Sequence, residues 1–321
     1  MSRTRGTLGC LGLIAGFVIV LVLGASVYLL NFALKPEVNK GRDYAGQLRA
    51  MKAGYPWIAS WVDSVTQTKG AMRDTTVVSP DGDRHHGVLI AAPGRTARTA
   101  VLVHGYTDCA MSMLHIGYLY NKVMGMNLVI PDLHASGKSE GRAIQMGWPD
   151  RLDVLQWIGM ADSLFADSTG HARIVVHGIS MGAATTMDVS GEKTPASVRC
   201  FVEDCGYTSV WDEFNHEIGE QFGLPAFPLL YTASGLCKLK YGWSFGESSP
   251  LRQVAKCRKP MLFIHGGNDD YVPTLMVYPL YAAKPAPKQL VVFRHSAHAR
   301  SYRDHHEAYT RIVRKFVERY L

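Results

Sequence analysis

The pentapeptide Gly178-Ile179-Ser180-Met181-Gly182 follows the apolar run Ile174-Val175-Val176 and precedes Ala183-Ala184, and it constrains this chain more than any other feature. An apolar run that gives way to a glycine-flanked serine and then to small, helix-compatible residues reads as buried strand, sharp turn and helix. That geometry lifts a serine hydroxyl clear of a sheet. Glycines on either side admit a strained backbone and let the new helix approach its neighbours. A serine hydroxyl is a weak nucleophile unless a base and an anion site reach it. Met181, at the start of the helix, offers its backbone N–H beside the positive end of the helix dipole.

The remaining pattern supplies a sheet for such a turn. Strand-like runs fall at 75–78 and 86–91, joined across Ser79-Pro80-Asp81-Gly82, and then at 99–103, 128–130, 173–177, 198–203, 260–265 and 290–293. Helical stretches are expected at 113–123, 149–165 and from 183. A terminal helix from about 303 carries Tyr309, Ile312, Val313, Phe316, Val317 and Tyr320 on one stripe. Short apolar strands alternating with helices imply an α/β architecture, a mainly parallel central sheet with helices on both faces. Residues 207–249 break the alternation with Trp211, Phe214, Phe222, Phe227, Tyr231, Trp243 and Phe245 among glycines and prolines. An insertion this long is expected to be a small helical lid over the catalytic end of the sheet, its aromatics forming its own core or lining a pocket.

Ahead of this domain, residues 8–34 contain no charged side chain. A run of ~20 apolar residues suffices to cross a bilayer as a helix. Arg3 and Arg5 before it favour a cytoplasmic N-terminus and an extracytoplasmic domain, a bias that Lys35, Lys40 and Arg42 weaken. Leu23-Gly24-Ala25 offers a poor signal-peptide cleavage site, with secretion as the competing outcome. The apolar run continues past it, which favours an uncleaved anchor. The expected organisation is an anchor over 1–42, a stem with a short helix over 43–70 on which Trp57, Ile58, Trp61, Val62 and Val65 recur at helical spacing, and the main domain over 71–321.

The chain has 34 Lys and Arg against 27 Asp and Glu, a net charge of +7, but the excess is scattered and part of it flanks the anchor. With no basic run interleaved with aromatics, a nucleic-acid partner is not expected. Six cysteines leave five outside the anchor. Cys200 with Cys205, or Cys237 with Cys257, could pair in an oxidising compartment, or all could be buried thiols. No ligand spacing suggests zinc, and the chemistry expected at Ser180 requires no metal or organic cofactor.

Activating Ser180 requires a base and an orienting carboxylate in loops after later strands. Asp269 follows the strand Met261-Leu262-Phe263-Ile264-His265 through Gly266-Gly267-Asn268, and His298 follows the run 290–293, giving the chain order serine, acid, histidine. By spacing alone, Asp270 and Asp204 compete for the acid position and His295 competes for the base.

With those residues in view, the chain resembles the α/β-hydrolases, in particular the serine aminopeptidase-like and monoglyceride-lipase-like esterases. Five motifs carry the likeness in order from about residue 75: His104-Gly105-Tyr106, the segment from Asp132-Leu133-His134-Ala135 through Ser136-Gly137-Lys138-Ser139-Glu140-Gly141, the turn at Ser180, His265-Gly266-Gly267-Asn268-Asp269 with Val272-Pro273, and Ala297-His298 with Ser301-Tyr302. The resemblance implies Ser180, His298 and Asp269 as a catalytic triad, with the backbone N–H groups of Tyr106 and Met181 as an oxyanion hole. It also implies a small-molecule acyl substrate. Ala135-Ser136-Gly137 departs from the family, which often has arginine or histidine before that glycine. A peptidase or acyltransferase would use the same triad, and a noncatalytic scaffold would be expected to have lost a member of it.

Overall fold

The computed structural model describes residues 3–36, 43–79 and 82–321. In chain order the elements are α1 (Arg3–Leu34), α2 (Tyr44–Gly54), α3 (Ala59–Gln67), β1 (Met72–Val78), β2 (Arg84–Ile90), β3 (Arg98–Val103), α4 (Leu114–Tyr118), β4 (Asn127–Pro131), α5 (Asp150–Leu164), β5 (Arg173–Ile179) and α6 (Met181–Ser190). There follow β6 (Val198–Asp204), α7 (Val210–Phe222), α8 (Leu229–Tyr241), α9 (Pro250–Val254), β7 (Met261–Gly266), α10 (Val277–Ala283), β8 (Lys288–Phe293), α11 (Ser301–Asp304) and α12 (His306–Tyr320).

One eight-stranded sheet runs β1-β2-β4-β3-β5-β6-β7-β8. The first two pairings, β1 with β2 and β2 with β4, are antiparallel, and every other pairing is parallel. This is the expected central sheet with its antiparallel entry. Of the turn Ser79-Pro80-Asp81-Gly82, Pro80 and Asp81 lie outside the described residues, while the Gly82 N–H donates to the Ser79 carbonyl at 2.9 Å. Strand side chains alternate between faces. Val101, Val103, Ile174 and Val176 enter a core shared with α5, α6 and the lid. Ala100, Leu102, Val175 and Ile179 enter a second core shared with α3, α4 and α12.

Two regions, the stem and the stretch 113–123, differ from the sequence expectation, whereas the lid is helical as expected. The stem contains two helices, joined by a 3₁₀ turn at Pro56–Ile58. Met51, Ile58, Trp61, Val62 and Val65 are buried in the second core. The stem is therefore part of the domain's wall. Tyr44 on α2 donates to the Asp132 carboxylate, which also accepts from the Ala110 and Lys138 N–H groups at 2.7 and 2.9 Å, fastening the stem to the loop after β4. The stretch 113–123 is a 3₁₀ turn, the short α4 and a π turn in succession rather than one helix. The lid is a helical pair, α7 and α8, with α7 capped by the Ser209 hydroxyl and ended by Gly223 at φ 63°. The five described cysteines, Cys109, Cys200, Cys205, Cys237 and Cys257, are unpaired and buried.

Helix α1 changes character along its length. Residues 11–34 make it long and apolar enough to cross a membrane. Over 11–21 every side chain is exposed, whereas Ser26, Leu30 and Leu34 are buried against the domain. The Ser26 hydroxyl donates to the Leu229 carbonyl at the start of α8 (3.2 Å), and the Leu34 carbonyl accepts from the Ile144 N–H (2.9 Å).

Truncating Trp61 to alanine should destabilise the domain by ~3–5 kcal/mol, the usual cost of removing a large buried aromatic. Chemical denaturation checks this, and a near-zero change would show the stem to be detachable. Burial raises the Glu203 carboxyl, at the end of β6, to about 8. The folded chain thus holds this proton more tightly than the unfolded one. Its contribution is fully favourable below the ordinary glutamate value and is lost as pH rises through about 8. Glu203→Gln, which cannot ionise, should flatten the fall in Tm between pH 5 and pH 8.5. An unchanged slope in thermal melts refutes the assignment.

Candidate active site

The site lies where the parallel strands end. β5 delivers Ser180 in a backbone conformation with φ 57° and ψ −122°, one that ordinary residues avoid. The flanking glycines explain how it is held. A Cβ at Gly178 would stand 1.9 Å from the Gly182 carbonyl oxygen, and one at Gly182 would stand 2.1 Å from the Val103 carbonyl oxygen. No other residue fits either position. The Ser180 N–H donates to the Asp204 carbonyl on β6 (2.8 Å), pinning the turn to the next strand.

His298 arrives on the loop after β8. Its Nε2 is 2.8 Å from Ser180 Oγ, and its Nδ1 is 2.8 Å from Asp269 Oδ2. Asp269 lies on the loop after β7, where its Oδ1 accepts from the Tyr271 and Val272 N–H groups at 3.2 and 3.0 Å. Burial alone would raise the Asp269 carboxyl, but hydrogen bonds from His265 and His298 outweigh it and hold the group below the usual aspartate value. The aspartate is therefore an anion at neutral pH, and the imidazole is held with Nδ1 toward it. Gly266 and Gly267 let this loop pass under the loop from β8, since a Cβ at either would meet the Ser296 or Arg294 carbonyl oxygen at 2.4 or 2.5 Å.

The other candidates lie elsewhere. Asp204 accepts from the Tyr309 hydroxyl at 2.9 Å, and burial raises it to about 6. Asp270 and His295 are exposed. His104 makes backbone contacts, with Nδ1 2.8 Å from the Gly105 carbonyl and Nε2 accepting from the Leu133 N–H at 2.9 Å. His177 sits between the Tyr120 and Tyr309 hydroxyls, and burial lowers it to about 3, so it is a neutral core residue.

Tyr106 and Met181 line the same cavity as Ser180. Met181 is the first residue of α6, so its N–H belongs to the turn that has no intrahelical acceptor. The Tyr106 hydroxyl donates to the Ala33 carbonyl in the last turn of α1 (2.7 Å). The cavity continues from the serine between α1 and the lid, over Leu29, Ala33, Met146, Phe214, Ile218 and Phe222, and its empty space, open mouth included, is about 830 Å³.

Sequence reasoning leaves out two residues in this cavity. Glu213 and Glu217 project into it from one face of α7. Burial raises both carboxyls, that of Glu213 strongly, and Glu213 Oε2 has no hydrogen-bond partner. Their spacing of four resembles an ordinary solvated face, so only the placement of the lid reveals them. Two clusters have metal-ligand proximity among the described residues, Asp83 with His85 and His134, and Cys205 with Asp269 and His298. In the first, His85 Nε2 and His134 Nδ1 already pair at 3.2 Å. In the second, the imidazole bridges Ser180 and Asp269.

No family model matches the chain. It is similar to the esterase Pf2001 of Pyrococcus furiosus, with 23% identity, a TM-score of 0.61, and coverage of 78% of this chain and 92% of that one. It is also similar to the acylaminoacyl peptidase of Pyrococcus horikoshii, with 18% identity, a TM-score of 0.57, and coverage of 81% and 44%. At these identities the likeness establishes the fold, which is that of the α/β-hydrolases. Among curated proteins, YfhR of Escherichia coli is 23% identical over 231 residues, 70% of this chain and 73% of that protein. The uncharacterized protein YqkD of Bacillus subtilis is 30% identical over 228 residues, 71% of this chain and 73% of that one, and the chain accordingly belongs to the YqkD family, built on the α/β-hydrolase fold.

Proposed function

We propose that this protein is a serine hydrolase that cleaves carboxylic esters. The observation that carries the reading is the pair of 2.8 Å contacts that joins Ser180 through His298 to an anionic Asp269. His298 takes the Ser180 proton as Oγ bonds to the acyl carbon, and Asp269 holds the tautomer that makes this possible. The oxyanion that forms is held by the N–H groups of Tyr106 and Met181, each such donor being worth about 2.7–4 kcal/mol in the transition state. When the carbon–oxygen bond breaks, the imidazolium returns its proton to the departing alcohol. Water, deprotonated by the same imidazole, then releases the acid and restores the serine. Arg3 and Arg5 support a cytoplasmic N-terminus, with α1 uncleaved in the membrane and the catalytic domain outside.

A second reading has its own support. The Glu213 and Glu217 side chains, which line the same cavity as Ser180, offer carboxyl oxygens that can accept hydrogen bonds from a substrate amino group, as an aminopeptidase-like enzyme would require. In a panel pairing short acyl esters with aminoacyl 4-nitroanilides, the ester reading predicts at least tenfold higher kcat/KM for the esters. Anilide preference that disappears in Glu217→Gln would transfer the assignment to the peptidase.

Ser180→Ala should lose fluorophosphonate labelling and reduce ester turnover at least ~10³-fold, and Asp269→Asn should reduce kcat by about 10⁴-fold. A labelled, active Ser180→Ala protein would sink the reading.

A further inference from the structure

The membrane helix and the catalytic cavity share residues. Leu29, Leu30, Phe32 and Ala33 of α1 line the same cavity as Ser180, facing α7 and α8 across it. The contacts are specific. Phe32 packs edge-on against Phe222 of α7 at 5.5 Å between ring centres, Ser26 and Leu229 are hydrogen-bonded, and Lys240 Nζ lies 3.4 Å from Asn31 Oδ1.

Length then fixes where this wall lies relative to a bilayer. The stretch of α1 that is free of the domain, 11–21, spans about 16 Å at ~1.5 Å per residue. The hydrocarbon layer is about 30 Å thick and takes ~20 residues. Counted from Gly6, just past Arg5, that requirement carries the hydrocarbon to the level of Ser26, where α8 begins. The start of α8 must therefore touch the leaflet. Phe227 and Tyr231, large and more than half exposed, are the side chains it presents there. Lys238 and Lys240 lie at the far end of α8, toward the headgroups. Leu29 to Ala33 then sit about 5–10 Å above the hydrocarbon boundary, in the layer that holds the ester carbonyls of bilayer lipids.

We infer that α1 is more than an anchor: its last two turns form one wall of the acyl pocket, which is filled sideways from the outer leaflet by a long-chain ester of a bilayer lipid. The inference rests on the serine-hydrolase reading and extends it to a substrate class. The acyl chain enters between α1 and the lid without crossing water, and its carbonyl reaches Ser180 at the depth it occupies in the leaflet.

The test uses the full-length protein in phospholipid vesicles, a fluorogenic two-chain ester lipid that does not exchange between vesicles, and soluble 4-nitrophenyl butyrate. Lipid ester in the protein's own vesicles should turn over at least tenfold faster than the same lipid supplied in separate vesicles. Equal rates overturn the inference. Ala33→Trp, which fills the α1 wall, should lower the ratio of lipid-ester to butyrate turnover at least tenfold, whereas Val18→Trp, on the exposed stretch of α1, should keep the parental ratio. An unchanged ratio in Ala33→Trp also overturns it. Fluorophosphonate labelling verifies that Ala33→Trp has folded, with Leu29→Phe in its place if it has not. A parent that neither labels at Ser180 nor cleaves butyrate would bring down the hydrolase reading itself. A parent that labels and cleaves butyrate but shows equal vesicle rates loses only the lateral route.

Discussion

The site depends on one close approach, that of helix α6 to the ends of β3 and β5. Backbone meets backbone there with no room for a single methyl at Gly178 or Gly182. The approach forces Ser180 into a conformation that costs of the order of 1–3 kcal/mol, and the surrounding structure holds it there. The restraint is distributed. The Ser180 N–H is tied to β6, and α6 is buried over its whole length between the sheet and its neighbouring helices. A strained serine that cannot relax is one whose hydroxyl stays directed at the imidazole, so the packing of α6 fixes the geometry of the chemistry.

The central parallel strands were legible because they are buried on both faces and carry continuous apolar runs, β7 above all with Met261-Leu262-Phe263-Ile264. Helix α12 was legible because one stripe, Tyr309, Val313, Phe316 and Val317, is buried while the rest is wet. The stretch 113–123 was not, because burial on nearly every side removes the period that distinguishes one continuous helix from three turns of different pitch. The short helices α9 and α10 were missed for lack of length. Spacing left the acid among Asp204, Asp269 and Asp270, since residues after neighbouring strands are equivalent in sequence. The distinction is tertiary: Tyr309 occupies Asp204, whereas two backbone N–H groups and two imidazoles converge on Asp269.

Helix α1 shows the same limit from the other side. A run that is apolar all round has no polar face from which to tell lipid from protein. The signal present in the sequence is the pair of polar residues inside the run. Ser26 is fully buried with its hydroxyl on the start of α8, and Asn31 lies beside Lys240. A buried hydroxyl in an apolar helix that finds its acceptor on another element marks a docked face, because leaving that hydroxyl unpaired away from water would cost more than the contact gains.

Tyr106 joins the two halves of the molecule. Its hydroxyl satisfies the Ala33 carbonyl, one of the last-turn acceptors that a helix cannot pair internally, while its backbone lies in the loop beside Ser180 that is proposed to hold the oxyanion. The Leu34 carbonyl is satisfied in the same way by Ile144. The end of α1 is thus capped by the α/β domain rather than by water. Displacing α1 would strand two carbonyls, open the cavity along Leu29, Leu30, Phe32 and Ala33, and remove a restraint on the Tyr106 loop in a single event. Docking of the helix and order in the site are coupled through that one side chain, because the Tyr106 hydroxyl holds the end of α1 while the Tyr106 backbone stands in the loop beside Ser180.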